Sequence, residues 1–120
     1  MSRIAECKLG ATKVSETPRA ICIAVSVPEP DPKSIQGTTF RTLVEFDGLY
    51  KPRYIYGEGS LQSLALSFSF LRACLKQLSN DGWVLNYPGT ADIVAPDLYL
   101  FGDSWIAPSD PDSFLDLDAQ

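Results

Sequence analysis

The sequence predicts an α+β domain in which an antiparallel sheet of four or more strands packs on one long central helix. Four segments in the first half alternate apolar and polar residues with a period of two, which is typical of strands. A later segment repeats leucine and phenylalanine every three or four residues, which is typical of a helix. The predicted strands follow one another along the chain, and sequential hairpins favour an antiparallel sheet.

The strand predictions depend on alternation and on turn residues. The second strand is the clearest, because Ile21, Ile23 and Val25 alternate with small residues. An Asp-Gly pair at positions 47–48 is a strong hairpin signal between the third and fourth strands. Pro52 predicts that the fourth strand lies at an edge or carries a bulge. The four strands are predicted over residues 2–9, 19–27, 38–46 and 49–56.

Prolines and short apolar runs define the remaining connections. The proline-rich run 28–32 is predicted to end the second strand, because proline cannot donate to a hydrogen-bond ladder, and to open a loop. Residues 83–87, 92–95 and 98–101 are predicted to form further short elements.

The helix is predicted to begin at Gly59 or Ser60 and to end at residues 80–82, an Asn-Asp-Gly run that tolerates left-handed geometry. With Gly59 as the N-cap, Gln62 is placed to bond back to the backbone at the cap. We expect a helix this apolar to be mostly buried. The face predicted to pack on the sheet comprises Leu61, Leu64, Phe68, Leu71, Leu75 and Leu78.

The chain of 120 residues suits a single α+β domain over residues 1–106, followed by an acidic, flexible C-terminal tail over residues 107–120. Cys7, Cys22 and Cys74 are odd in number and show no CxxC spacing, so we predict reduced core thiols in a cytoplasmic protein. No apolar run is long enough to cross a bilayer, and no membrane partner is expected.

The absence of histidine is the most useful negative observation. It excludes imidazole acid–base catalysis, Ser-His-Asp and Cys-His nucleophiles and histidine-based zinc sites. Asp92, Asp97 and Asp103 lack the spacing of a calcium-binding loop. The Gly-Glu-Gly-Ser run 57–60 lacks the lysine of a phosphate-binding loop. We therefore predict no catalytic residues, no metal and no cofactor.

Charge is unevenly distributed along the chain. Residues 1–76 carry all ten lysines and arginines with seven acids, whereas residues 77–120 carry eight acids and no base. Lys51 and Arg53 alternate with tyrosines, as in some nucleic-acid faces, but the net charge of −5 argues against nucleic acid. The acidic last third is either a solvated tail or a surface directed at a basic partner.

The run Tyr-Ile-Tyr-Gly-Glu-Gly-Ser-Leu-Gln-Ser-Leu-Ala-Leu at residues 54–66 resembles a family of small uncharacterised bacterial proteins. Their pattern is an edge strand followed by Tyr-Gly-x-Asp-Ser-x-Gln-Ala-Leu at the start of a long core helix. The resemblance covers residues 39–85, with Gly59 and Ser63 in place of the pattern's Asp and Ala. It implies an immunity or accessory protein of a toxin system, by analogy.

We therefore predict a non-catalytic cytoplasmic binding protein, specifically an immunity protein that occludes the active site of a cognate bacterial toxin with a basic surface. One alternative is a small-molecule-binding domain or minor enzyme with a pocket between helix and sheet near Glu45, Glu58 and Tyr56. Another is a structural subunit of a larger bacterial assembly. The predicted partner-binding residues are Asp97, Asp103, Trp105, Asp110 and Asp112, with Tyr50, Tyr54 and Tyr56 as a second surface.

Overall fold

The structure, a computed structural model, describes residues 2–95. These residues form a six-stranded antiparallel sheet and one long helix that packs against it, which confirms the α+β prediction. The predicted short strand 98–101 and the predicted tail 107–120 lie outside the described residues. In chain order the elements are β1 (Arg3–Thr12), β2 (Arg19–Ser26), β3 (Glu29–Pro30), β4 (Thr39–Asp47), β5 (Tyr50–Glu58), α1 (Ser60–Asn80) and β6 (Val84–Asn86).

Across the sheet the order is β6, β1, β2, β4, β5. The short strand β3 continues the line of β2, because Phe40 and Arg41 of β4 pair with β3 on one side and with β5 on the other. The strand that follows α1 therefore joins the far edge, beside β1, and the chain crosses the whole sheet to reach it.

The proline-rich run was predicted to end the second strand and to open a loop, and β2 does end at Ser26, but Glu29 and Pro30 form the short strand β3 where a loop was expected. Pairing continues because the amide of Asp31 donates to the Thr39 carbonyl, at 2.9 Å. The Glu29 side chain also binds Arg41 on the neighbouring strand. Asp31 lies between Pro30 and Pro32, and its backbone amide supplies a hydrogen bond that the neighbouring prolines cannot donate.

The other strand predictions differ from the structure in detail. β1 runs three residues past the predicted end, because Gly10 and Ala11 still pair with β2. The Asp-Gly hairpin is confirmed, with Gly48 at φ +99° and the Leu49 amide bound to the Phe46 carbonyl. The edge position and the bulge predicted from Pro52 are both confirmed within the described sheet.

The predicted packing face of the helix is wrong at Leu61 and Phe68, whereas Leu64 packs against the core as predicted. Leu61 is 79% exposed and Phe68 is 40% exposed, whereas two serines take the positions against the sheet. The buried residues of α1 are Ser63, Ser67, Leu71, Leu75 and Leu78. The side chains that face the sheet are therefore small serines in the first half of α1 and larger leucines in its second half.

A close approach between α1 and the sheet explains this rotation. A Cβ added to Gly57 of β5 would lie 2.5 Å from the Ser63 amide nitrogen, so helix backbone rests on strand backbone there. The Ser63 hydroxyl meets the Thr42 hydroxyl at 2.7 Å, and Ser67 donates to the Ser63 carbonyl at 2.7 Å. Leucine at either serine position would be too large, and the two hydroxyls are satisfied without water.

The helix ends follow the sequence signals. At the start, the Glu58 amide donates to the Gln62 side-chain oxygen, one residue earlier than the predicted cap amide. At the end, Gly82 has φ +94°, the Trp83 amide donates to the Leu78 carbonyl at 3.0 Å, and the Gly82 amide donates to the Ser79 carbonyl. This pair of bonds is a Schellman motif, which confirms the predicted stop.

We predict that Gly57→Ala destabilises the protein by about 2 kcal/mol or more, because the neighbouring atoms are backbone and cannot move aside. Gly10→Ala is the matched control, since its nearest neighbour is 3.7 Å away and its φ is ordinary. Urea unfolding measures both. Equal midpoints for the two variants would contradict the close approach.

We predict that Thr42→Val costs about 1–2 kcal/mol, because it leaves the buried Ser63 hydroxyl without its sheet partner. In the double variant Thr42→Val/Ser63→Ala much of this loss should disappear, since the Ser63 hydroxyl that lost its sheet partner is removed as well. A double-mutant cycle by urea unfolding gives the coupling between the two residues. Strictly additive losses would show that they do not interact.

Candidate functional site: the open face of the sheet

α1 covers one face of the sheet, and within residues 2–95 no helix or second sheet packs on the other. We call this second surface the open face. Pairing register and side-chain contacts place polar, aromatic and small side chains and one leucine on it. These are Arg3, Glu6, Cys22, Ala24, Arg41, Leu43, Glu45, Asp47, Tyr54 and Tyr56.

Arg3 binds three carboxylates on this face. It contacts Glu6 at 2.7 Å, Glu45 through two nitrogens at 3.2 and 3.3 Å, and Asp47 at 3.2 Å. Its side chain starts on β1 and reaches β4, so it crosses β2. The crossing is open because β2 presents small residues there, and Ala24 is only 1% exposed between Glu6 and Glu45.

The electrostatics of this cluster follow from its hydrogen bonds. The bonds to Glu45 and Glu6 raise the pKa of Arg3, and the bond from Arg3 lowers the pKa of Glu6. Burial raises the pKa of the Cys22 thiol, which lies beside Arg3 and Glu6. Burial also raises the pKa of Cys74 on α1. Neither thiol is thus activated as a nucleophile.

The cysteine prediction is confirmed in its first part, because all three thiols are free. Cys7 and Cys74 pack against the core, as predicted. Cys22 does not, since it lies on the open face near Arg3.

A second cluster lies on the β4–β5 side of the open face. Glu29 accepts from Arg41 at 2.6 Å, and this bond raises the pKa of Arg41. The Arg41 guanidinium also lies 4.0 Å from the centre of the Tyr54 ring. The Tyr54 and Tyr56 rings are 6.4 Å apart, and Tyr56 is 50% exposed. Two tyrosines and a fixed arginine thus present one connected surface.

Tyr50 was predicted to share a face with Tyr54 and Tyr56, and this prediction is wrong. The bulge between Val44 and Phe46 shifts the register, so Tyr50 pairs with Phe46 on the α1 side of the sheet. The two rings meet edge to face at 5.8 Å. Pro52 did predict a bulge. The prediction for Tyr50 nevertheless assumed that side chains alternate without interruption along the strand, and it therefore placed Tyr50 on the wrong side of the sheet.

The five acidic-segment residues predicted to bind the partner lie outside the described residues. They are Asp97, Asp103, Trp105, Asp110 and Asp112. Of the predicted partner-binding residues, the structure therefore brings together Tyr54 and Tyr56 and separates Tyr50 from them. Arg3 and Arg41 were missed, because their importance arises from strands that are distant in sequence.

The predicted pocket between helix and sheet near Glu45, Glu58 and Tyr56 is not formed. Glu45 and Tyr56 lie on the open face, and the sheet separates them from α1. A groove of about 180 Å³ between α1 and the sheet is instead lined by Ala5, Glu6, Cys7, Ile23, Ala24, Val25, Phe68 and Leu71. It is smaller than the roughly 300–1,000 Å³ usual for small-molecule sites.

Among residues 2–95, no group of three or more Cys, Asp and Glu residues has a geometry that could hold a metal ion. In the same range, no helix has both the length and the apolar character needed to cross a bilayer. Comparison with family models, with curated proteins and with solved structures gives no match to this chain.

Because Arg3 binds Glu6, we expect the free energy of unfolding to depend on pH. The lowered pKa of Glu6 means that its bond to Arg3 stabilises the fold above the ordinary value of 4.5 and that this contribution is lost as the pH falls through the folded-state pKa. The stability difference between the protein and Arg3→Gln should therefore be constant near neutrality and shrink below pH 4.5. Urea unfolding at a series of pH values measures it. A difference that does not change with pH would contradict the Glu6 contribution.

Proposed function

We propose that this protein is a non-catalytic protein-binding module whose partner docks on the open face. The observation that carries the proposal is the cluster of Arg41, Tyr54 and Tyr56, a fixed arginine stacked beside two tyrosines. Tyrosine and arginine are the residues most often found at the energetic centres of protein interfaces. An open sheet surface that carries them suits a protein partner better than a small molecule.

The arginines of the open face support the proposal through their fixed positions. Glu29 holds Arg41, and three carboxylates hold Arg3. Side chains that are already ordered lose little entropy when a partner binds. Their charges are also largely neutralised, so a partner does not have to supply a counter-ion for each of them.

We further propose that the partner is a bacterial toxin and that binding occludes its active site in the cytoplasm. The resemblance at residues 54–66 and the net charge of −5 support this identification. Toxins that act on nucleic acids or nucleotides need basic clefts, and an acidic protein associates with such a cleft quickly. Asp97, Asp103, Asp110 and Asp112, which the sequence analysis predicts first, remain predicted contacts with this partner.

The experiment is affinity capture of the tagged full-length protein from its native cell, followed by mass spectrometry and binding measurements with the identified partner. Tyr54→Ala/Tyr56→Ala should weaken Kd by roughly ten- to a hundredfold. Tyr50→Ala is the matched control, because it removes the same side chain from the opposite side of the sheet. Equal losses in both variants would contradict docking on the open face.

A growth assay tests separately whether the partner is a toxin. The captured partner should arrest growth when it is expressed alone, and coexpression of the wild-type protein should restore growth. Coexpression of Tyr54→Ala/Tyr56→Ala should restore it only weakly. A stoichiometric partner that does not affect growth would leave the binding module intact and overturn the toxin proposal.

A further inference from the structure

β5 is an edge strand of the sheet, because within residues 2–95 its one neighbour in the sheet is β4. The Gly59 amide donates to the Thr38 carbonyl at 2.8 Å, and this bond fixes the alternation along the β4–β5 ladder. Hydrogen-bonded pairs alternate with non-hydrogen-bonded pairs in an antiparallel ladder. Tyr54, Tyr56 and Glu58 therefore direct their backbone N–H and C=O groups away from β4, toward the outer edge.

Two features limit the part of this edge that can pair with another strand. At one end, Pro52 has no backbone N–H, and the bulge of β5 interrupts the ladder beside it. At the other end, the Glu58 amide already donates to the Gln62 side chain. Such features protect an edge from pairing, and here they leave residues 54–56 between them. We call residues 54–56 the pairing window.

The two limits of the pairing window match when β5 pairs with a second copy of itself. In an antiparallel pair with Tyr54 opposite Tyr56 of the second copy, Pro52 falls opposite Glu58. The residue that lacks an amide proton then meets the residue whose amide is already bound. A shift by two residues places either Tyr56 opposite Pro52 or Tyr54 opposite Glu58. One carbonyl of the window then faces a residue that cannot donate to it.

We propose that two copies of this protein form a dimer by antiparallel pairing of their β5 strands, with Tyr54 opposite Tyr56 and Ile55 opposite itself on the two-fold axis. The Tyr54–Tyr56 pair occurs twice by symmetry, so the pairing window supplies four backbone hydrogen bonds. The sheets of the two copies join into one continuous sheet. Their open faces lie on the same side of it, because opposite residues of paired strands point to the same face.

Side chains on both faces of β5 suit this pairing. On the open face, each Tyr54 lies opposite a Tyr56, and aromatic cross-strand pairs stabilise antiparallel strands. On the α1 side, Arg53 lies opposite Gly57 of the second copy. Because Gly57 has no side chain, the arginine keeps its position over the Phe70 ring of its own chain.

The helix carries an apolar flank above the same edge. Gln62 bonds to Glu58 of β5, and Phe70 lies against Arg53 of β5, with the guanidinium carbon 5.4 Å from the ring centroid. Leu66 lies four residues from each of these helix positions, and it is 44% exposed. In the dimer the two helices lie on the same side of the joined sheet. The Leu66 side chains then face each other across the two-fold axis and become buried, which favours association.

The dimer goes beyond the proposed function and does not rest on it. The rings of Tyr54 and Tyr56 stay on the open face, so the dimer offers two adjacent copies of the surface proposed for the partner. The dimer is tested on the purified protein alone, whereas docking is tested with the captured partner. The two proposals therefore fail independently.

Sedimentation velocity of the purified full-length protein at increasing concentration measures the dimer, and we expect twice the mass of the chain at high concentration. Tyr56→Pro should weaken the Kd for dimerisation by roughly ten- to a hundredfold, because each copy loses an outward amide and keeps its bonds to β4. Tyr56→Ala is the matched control, since it removes the ring and keeps the amide, and it should weaken the Kd less. A monomer at every concentration, or equal effects of the two variants, would overturn the proposal.

The apolar flank is tested by Leu66→Glu, which should also weaken dimerisation because it brings two like charges together at the axis. Leu61→Glu is the matched control. It makes the same change at an exposed leucine about 140° away around the helix axis, and it should leave the Kd unchanged. Circular dichroism checks that the fold persists in every variant. A dimer that forms equally well with Leu66→Glu would place the interface elsewhere and overturn the proposal.

Cysteine cross-linking determines the register of the paired strands. In the proposed register the two Ile55 residues form a non-hydrogen-bonded pair with Cα atoms about 4.5 Å apart, which is within the range for a disulfide. Ile55→Cys should therefore give a covalent dimer with a mild oxidant. Arg53→Cys, two residues away on the same face, should give no more than the wild-type protein with its three free thiols. Equal cross-linking of the two variants, or none in either, would overturn the proposed pairing.

Discussion

The contact of helix backbone on strand backbone, where Ser63 meets Gly57, sets the position of everything else in this fold. Glycine on β5 and serines on α1 remove the side chains that normally separate a helix from a sheet. The helix therefore approaches the sheet closely at its N-terminal end, and leucine side chains pack between helix and sheet in its second half. A hydroxyl pair, Thr42 with Ser63, replaces apolar packing at the low end.

This geometry has two consequences that reach the surface. First, the helix rotates, so that Leu61 turns outward and Phe68 lies half-exposed beside the groove between α1 and the sheet. Second, α1 lies on only one side of the sheet, so the other side keeps its arginines and tyrosines accessible. The open face, which carries our proposed function, therefore follows from where the helix is held.

Local signals in the sequence were enough for most of the fold. Period-two alternation, the Asp-Gly pair and the Asn-Asp-Gly stop identify the strands, the hairpin and the helix end, because each depends on a few neighbouring residues. The helix face was mispredicted because hydrophobicity alone favours leucine over serine at a packing position. Only the approach to Gly57, a residue on another element, makes serine the better fit.

The candidate site was less predictable for a related reason. Tyr54 and Tyr56 were recognised, but Tyr50 was placed with them because a bulge reverses alternation and its exact register is invisible in a linear pattern. Arg3 and Arg41 depend on pairing between strands that are up to 44 residues apart, as for Arg3 with Asp47. No local pattern indicates that these charges meet.

The fold described above requires that α1 rests on the sheet through Ser63 and Gly57, with Leu61 turned away. Nuclear Overhauser contacts measured by proton NMR on the purified protein can establish this arrangement. We expect strong contacts between the Gly57 α protons and the Ser63 amide proton, and between the side chains of Ser63 and Thr42. Contacts from the Leu61 methyl groups to Thr42, without those from Ser63, would contradict it.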